Sequence, residues 1–486
     1  MSINSKKLLK ISLVYAAGQI FVQGLNFLLL PIYTNKLGVI EYGKISTITA
    51  FTGFISSFLI LSIQSGLCRF YKDEDNKNKI VNTALNFAYL FSGIMLLLVW
   101  ALGSPLSKLI FDFGDGYKIL CIIVITSIFS QISSIYTGKY SMEYSALKVS
   151  IIQVSQLTLQ FIIIIYLVLK MEIGLMGVLY GQLIATSTVF LILTIIEIKN
   201  YKFEIDKILL KSMMIFSLGL LPVNLSGWVL TLSDRYFIKH FNGFAQTGIY
   251  NLGYQFGMLI NPIFITPFLS SFTAYKFEIY KNVDAKEKFK NLFRKYNVIG
   301  CFIMLGIAIY SKFGIMIFAN SDFANAYKVV PLILYSYFLY GKIGYYALGF
   351  QIENKTYKIG LYMGFAAVLN IVLNFFLVPA WGIIGAGIST IISYVVLNSI
   401  FIKTSNKYYK IDLDTKFQSK VQIVTLALYG IYYIISIRNI GIVKEFVINI
   451  FIMIFYLYLL VKIKCIDVDF IYNNTLGLLK RKTEVK

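Results

Sequence analysis

The chain has 486 residues, 58% of them hydrophobic and 14% charged, with a mean hydropathy of +0.73. This excludes a soluble multidomain protein of the same length: the longest polar stretch, near Lys276–Lys295, is about 20 residues, too short for a domain. The formal charge of +22 does not point to nucleic acid, because the lysines sit in short loops between apolar runs.

About fourteen apolar segments follow one another, each long enough to cross a hydrocarbon core of about 30 Å as a helix. They cover approximately 11–32, 43–66, 80–102, 117–137, 148–169, 174–195, 211–233, 245–270, 292–311, 326–350, 359–380, 382–402, 420–437 and 442–462. In lipid, such segments form helices that satisfy their own backbone. Met1–Lys10 is short and basic, and Ile11–Pro31 is too long and glycine-dotted for a cleavable leader, so the first span is expected to stay as an anchor.

Span 1 carries Gln19, Gln23 and Asn26 at i, i+4 and i+7, a polar stripe on one face. Span 2 opens on Tyr42-Gly43 and ends at Arg69. Span 6 opens on Gly174-Leu175-Met176-Gly177. Span 7 holds Asn224 and Ser226 and ends at Asp234-Arg235, with the only histidine, His240, read as a solvated loop residue beyond it. Span 8 holds Asn251, Gln255 and Asn261, and its Pro262 and Pro267 are expected to kink it. Lys342 lies midway along span 10. Ionisable groups in or at the edge of spans are costly to bury, which makes Arg69, Asp234, Arg235 and Lys342 candidates for substrate binding. Snorkelling and helix-end capping are the bland alternatives for both arginines. Gln19, Gln23, Asn26, Asn224, Asn251 and Gln255 are candidate cavity-lining residues, with interhelical hydrogen bonding as the equal alternative.

Counting Lys and Arg on alternate sides puts 33 on the side of the termini and 11 on the other, with Lys342 inside a span. The bias places both termini in the cytoplasm. Two motif pairs recur: Gly38 and Tyr42-Gly43 return as Gly243 and Thr247-Gly248 at an offset of 205, and Gly174-x-x-Gly177 returns as Gly382-x-x-Gly385 at 208. They predict two parallel six-span lobes, residues 1–196 and 211–402, joined by a cytoplasmic linker at 197–210. Residues 403–486 add two helices and a cytoplasmic tail. A cleft between such lobes favours a transporter over a pore. The four cysteines lack metal-ligand spacing, no phosphate loop occurs, and no hydrolytic constellation is present, so neither a metal, a cofactor nor an enzyme is expected; an H+ or Na+ gradient is left as a candidate driving force.

Several runs together resemble the O-antigen and repeat-unit flippases (Wzx-type) of the MOP superfamily. They are Leu30-Pro31-Ile32-Tyr33-Thr34-Asn35-Lys36-Leu37-Gly38 with Glu41-Tyr42-Gly43; Arg69-Phe70-Tyr71; Ser233-Asp234-Arg235-Tyr236-Phe237; Gly248-Ile249-Tyr250; and Asn370-Ile371-Val372-Leu373-Asn374 with Val378-Pro379-Ala380-Trp381-Gly382. The resemblance spans roughly residues 10–402 and implies a V-shaped, MATE-like all-α bundle. It also implies translocation of undecaprenyl-pyrophosphate-linked oligosaccharide across the bacterial inner membrane, with membrane lipids, a polysaccharide polymerase and chain-length machinery as partners. Of the residues in these motifs, Arg69, Asp234 and Arg235 carry over as functional positions; Lys342 belongs to no motif. A MATE-type multidrug antiporter and a lipid II flippase share the architecture. The antiporter needs an embedded carboxylate, and spans 1 and 7 hold none at mid-span.

Overall fold

The computed structural model describes residues 5–111, 113–438, 441–463 and 465. All regular structure among them is helical. The main helices are α1 (Ser5–Leu28), α2 (Gly38–Phe58), α3 (Ile63–Phe70), α4 (Lys77–Ile110), α5 (Gly116–Met142), α6 (Ala146–Ile165), α7 (Leu175–Glu197) and α8 (Lys207–Leu232). There follow α9 (Asp234–Met258), α10 (Thr266–Ile279), α11 (Ala285–Phe318), α12 (Val330–Tyr346), α13 (Tyr357–Ser405), α14 (Thr415–Ile437) and α15 (Ile442–Lys462).

The polar loops start the helices. Asn76, Asp115, Asp206 and Asp414 each accept a hydrogen bond from the backbone N–H three residues on, satisfying a donor that the first helical turn leaves open. Between the caps the helices are apolar on their outer faces as well. Trp100 is 77% exposed and Ile195 is 67% exposed, which lipid tolerates and water would not. The chain is a multi-pass membrane protein.

Among the described residues, nine helical stretches are long and apolar enough to span a membrane, or ten with the bent pair Ala17–Phe58 and Ile63–Phe70, which meet at 49°. The sequence reading expects fourteen spans. The difference lies at the breaks, because the bent pair, Lys207–Ile279 and Tyr357–Ser405 each carry two of the apolar segments, joined at Gly38, Gly243 and Gly382. The tenth expected segment is divided between α12 and the short helix Leu348–Ile352.

Those glycines are the repeated ones. Gly38 has φ 75° and ψ 177°, and Gly243 has φ 83° and ψ 175°. Gly174 has φ 61° and ψ −135°, and Gly382 has φ 56° and ψ −135°. A side chain is strained at such φ, so glycine is the residue that lets one helix end and the next begin there. Each motif pair thus adopts one backbone conformation twice. Pro262 lies in a π-helical turn, Asn261–Ile265, and Pro267 opens α10 immediately after it. The ladder changes register at the expected kink.

Contacts gather the chain into two units. One takes the described residues up to Leu252 with Phe318–Phe323 and Thr356–Ser393; the other takes Gly253–Ile317, Ala324–Lys355 and the described residues from Tyr394 onward. These units cut across the repeat halves, because α8 packs on α2 and α3. Trp228 Nε1 donates to the Ala50 carbonyl at 2.8 Å, and the Gly66 N–H donates to Ser217 Oγ at 3.2 Å. In the first unit, Asn86 Nδ2 holds the carbonyls of Lys202 and Glu204 against α4. Asn370, Asn374, Ser389 and Thr390 bond across the two arms of α13, so four buried polar side chains satisfy one another. In the second unit, Lys312 pairs with Glu445 at 2.8 Å and Asn449 donates to the Ile309 carbonyl, which ties α15 to α11.

Loops that the charge bias assigns to one side are bonded to each other. Lys79 pairs with Asp206, and Lys290 pairs with Asp412. On the opposite side, the Leu175 N–H donates to Glu41, and Asn320 Nδ2 donates to the Thr34 carbonyl.

Candidate functional site

A single residue, Ser233, separates α8 from α9. Asp234 therefore sits at the N-terminus of α9, where the helix dipole favours an anion, and Arg235 stands beside the last carbonyls of α8, where it favours a cation. Arg235 Nη1 donates to the Thr231 carbonyl at 2.8 Å and to Asp234 Oδ1 at 3.2 Å; its Nη2 reaches Asn251 Oδ1 at 3.4 Å. The Tyr250 hydroxyl donates to the second carboxylate oxygen of Asp234. Asp234 and Arg235 are 2% and 3% exposed. Burying either charge alone would cost several kcal/mol, about what the paired geometry recovers.

Tyr250 and Asn251 arrive through a close helix crossing. A Cβ on Gly43 would lie 1.9 Å from the Phe244 carbonyl oxygen, and one on Gly248 would lie 2.2 Å from that of Val39. The two repeat-related glycines therefore let α2 and α9 touch backbone to backbone. Tyr42, one residue before Gly43, lies against Arg235 and Asn251. Asp234, Arg235, Asn251 and the repeated glycines thus form one buried cluster, sealed in this conformation.

The structure does not bring Arg69 into it. Arg69 ends α3, half-exposed, paired with Asp73 at 2.7 Å and stacked on Phe70. Lys342 lies elsewhere, in the second unit, fully buried. Its Nζ is 4.5 Å from the Phe338 ring centroid and 6.0 Å from that of Phe293, with no hydrogen-bond partner among the described residues. Of the candidate cavity residues, Gln19 is exposed and reaches Gln153 at 3.4 Å, and Asn224 is exposed and reaches Ser62 at 3.5 Å. Asn26 is exposed, and Gln23 and Gln255 are half-buried.

Sequence reasoning missed a cavity of about 540 Å³ in the first unit. It is lined by Phe51 and Phe54 of α2, Ile110 of α4, Trp228 of α8, and Tyr236, Lys239 and His240 of α9. His240 belongs to a helix, against the loop expected for it. The one available signal was the spacing of Tyr236, Lys239 and His240, which places them on one helical face.

Fold and site define an all-helical, multi-pass membrane protein whose two motif repeats share conformation and meet at paired glycines. The chain belongs to the polysaccharide biosynthesis protein family, whose sequence profile matches residues 8–272. Two proteins of Haemophilus influenzae are each 25% identical to it. An uncharacterized membrane protein aligns over 290 residues, 58% of this chain and 68% of that protein. The Lsg locus putative protein 1 aligns over 267 residues, 52% of this chain and 62% of its own length. Among solved structures, the lipid II flippase MurJ in an inward closed conformation superposes with a TM-score of 0.75 at 14% identity, covering 93% of this chain and 99% of that one. An outward-facing MATE-family multidrug resistance transporter of the MOP superfamily gives 0.60 at 16% identity, covering 83% and 95%. The fold is the one these transporters share.

Proposed function

We propose that this chain is a flippase, not an enzyme. It would carry undecaprenyl-pyrophosphate-linked oligosaccharide repeat units from the cytoplasmic to the outer leaflet of the bacterial inner membrane, supplying O-antigen, capsule or another surface polysaccharide. The observation that carries this reading is family membership over more than half of a chain whose described residues form nine or ten helical stretches long and apolar enough to span a membrane. Physics supplies the need: a pyrophosphate with a wet glycan cannot cross hydrocarbon unaided, since each unpaired buried charge costs several kcal/mol or more.

In this reading both termini are cytoplasmic, and the two six-span lobes alternate access to a cleft, driven by an H+ or Na+ gradient. The Asp234–Arg235 cluster is an outer gate. Closed, its guanidinium is engaged by Thr231, Asp234 and Asn251. Opened, it becomes a bidentate donor for phosphate. Arg69 is the phosphate contact on the cytoplasmic side, and Lys342 contributes charge only in a state that uncovers it. Polymerase and chain-length machinery receive the product.

A second reading, a lipid II flippase, is favoured by the extent of the likeness to MurJ. The pairing of Asp234 with an arginine argues against a cation-coupled antiporter.

The test is leaflet-resolved analysis of lipid-linked glycans in a strain lacking the chain. Complete repeat units held on the cytoplasmic face, with surface glycan lost, is the expected result. Accumulated lipid II would move the reading to the second one. Normal surface glycan with altered sensitivity to cationic drugs would overturn both.

A further inference from the structure

The first unit carries another recess, a groove of about 400 Å³ between α6 and α7 with Tyr140 of α5 at one end. Buried Val189 and Leu193 form its floor, and exposed Ile151, Ile192 and Ile196 stand along its rims. Close-packed side chains leave few voids larger than a water molecule; this one is open on its outer side. Its wall is almost wholly aliphatic, which suits a hydrocarbon chain and offers a polar ligand nothing to bond.

The charge lies at one end. Lys148 is exposed there, with its Nζ 5.2 Å from the Tyr140 ring centroid. That ring is fixed from behind: the Tyr140 hydroxyl donates to Glu197 Oε1 at 2.7 Å, and Lys139 pairs with Glu197 Oε2 at 2.7 Å. Glu197 is therefore buried with its charge already matched, and no carboxylate lies among the lining residues. An aliphatic trough that ends in one uncompensated cation is complementary to an acyl chain that ends in an anionic headgroup.

Length decides which lipid. Lys148 to Ser155 on α6, and Ile196 to Val189 on α7, each run about 10 Å at the helical rise. One leaflet of hydrocarbon is about 15 Å deep, so the groove is contained in a single leaflet. The charge bias puts Lys148 on the cytoplasmic side, the side on which anionic lipids attract basic residues. A lipid that must change leaflets needs a path across both; an occupant of this groove stays in one.

We propose that the groove is a docking site for a resident anionic phospholipid of the cytoplasmic leaflet, with its headgroup phosphate at Lys148 and an acyl chain along Val189 and Leu193. The leaflet follows from the charge bias alone, so loss of the flippase reading would leave the occupant unchanged.

The experiment titrates phosphatidylglycerol into the delipidated full chain in detergent, with phosphatidylcholine in parallel, and counts bound lipid by native mass spectrometry. One phosphatidylglycerol should bind at a lower concentration than any phosphatidylcholine. Lys148→Gln should weaken it about fivefold. Ser155→Phe, at an exposed position in the deep end, fills the groove without changing charge and should weaken it too. Lys170→Gln is the control, because exposed Lys170 lies over the Tyr166 ring at 5.5 Å and lines no part of the groove; binding should be unchanged. Equal affinity for the two lipids, an equal loss in Lys148→Gln and Lys170→Gln, or full binding in Ser155→Phe would each overturn the site. Displacement of the phosphatidylglycerol by undecaprenyl phosphate at matched concentration would overturn the resident occupant and make the groove a seat for the cargo's tail.

Discussion

Arg235 and Lys342 are both buried cations, and their surroundings predict opposite behaviour. Arg235 has a carboxylate, a carbonyl and an amide around it. Arg235→Ala leaves Asp234 as a buried anion without its guanidinium, a loss of about 3–5 kcal/mol. Membrane yield of that variant should fall. Asp234→Asn combined with Arg235→Gln removes both charges and should restore yield, while surface glycan stays absent if the pair acts in transport. Normal glycan from the double variant would reduce the pair to a structural one. Lys342 has the Phe338 and Phe293 rings and the Cys301 thiol beside it, and no carboxylate pairs with it among the described residues. Lys342→Met keeps length and apolar stem while deleting an ammonium that nothing among the described residues accepts from, so the melting temperature in detergent should rise. A fall would mean that the cation–π contacts outweigh the desolvation. Export lost at normal yield would assign the charge to transport.

At the scale of elements, the crossing of α2 and α9 is set by absent side chains. Gly43→Ala or Gly248→Ala places a methyl group inside the other helix's backbone, so the helices must separate. Gly227→Ala, in α8 with open space around it, is the matched control. Tyr42→Cys should then react faster with an impermeant maleimide in the Gly43 and Gly248 variants than in the control. Equal rates would remove the gate. Much of this arrangement was legible in the sequence. Gly38 and Gly243 announced themselves by recurrence, because a positive φ between two spans leaves glycine little competition. Apolar runs with capping residues between them marked the helices. The cavity was not legible, since Phe54, Trp228 and Tyr236 come from three helices, and belt aromatics look the same in a sequence as aromatics around a void. Arg69 and Arg235 looked alike at span ends for a related reason. Only packing separates a half-exposed ion pair with Asp73 from a sealed one with Asp234.

For the whole molecule, orientation and connectivity constrain each other. The 33-to-11 division of Lys and Arg gives a direction, and bonded loops give an agreement that owes nothing to charge counting. Asn86 holds the backbone at Lys202, and Arg294 reaches Asp414, so the segments at 200–206 and 412–414 each lie with a neighbour that the bias calls cytoplasmic. Leu175 with Glu41, and Asn320 with Thr34, do the same for the outer side. Alkaline phosphatase, which is active only outside the cytoplasm, should therefore be inactive when fused after Tyr201 or Asp412, and active after Glu172 or Asn320. Reversal of all four would invert the chain and place the Asp234–Arg235 cluster on the cytoplasmic face, making it an entrance instead of an exit. A split between Tyr201 and Asp412 could not be repaired by inversion. It would require an odd number of crossings between them, and the second lobe would then not hold six spans.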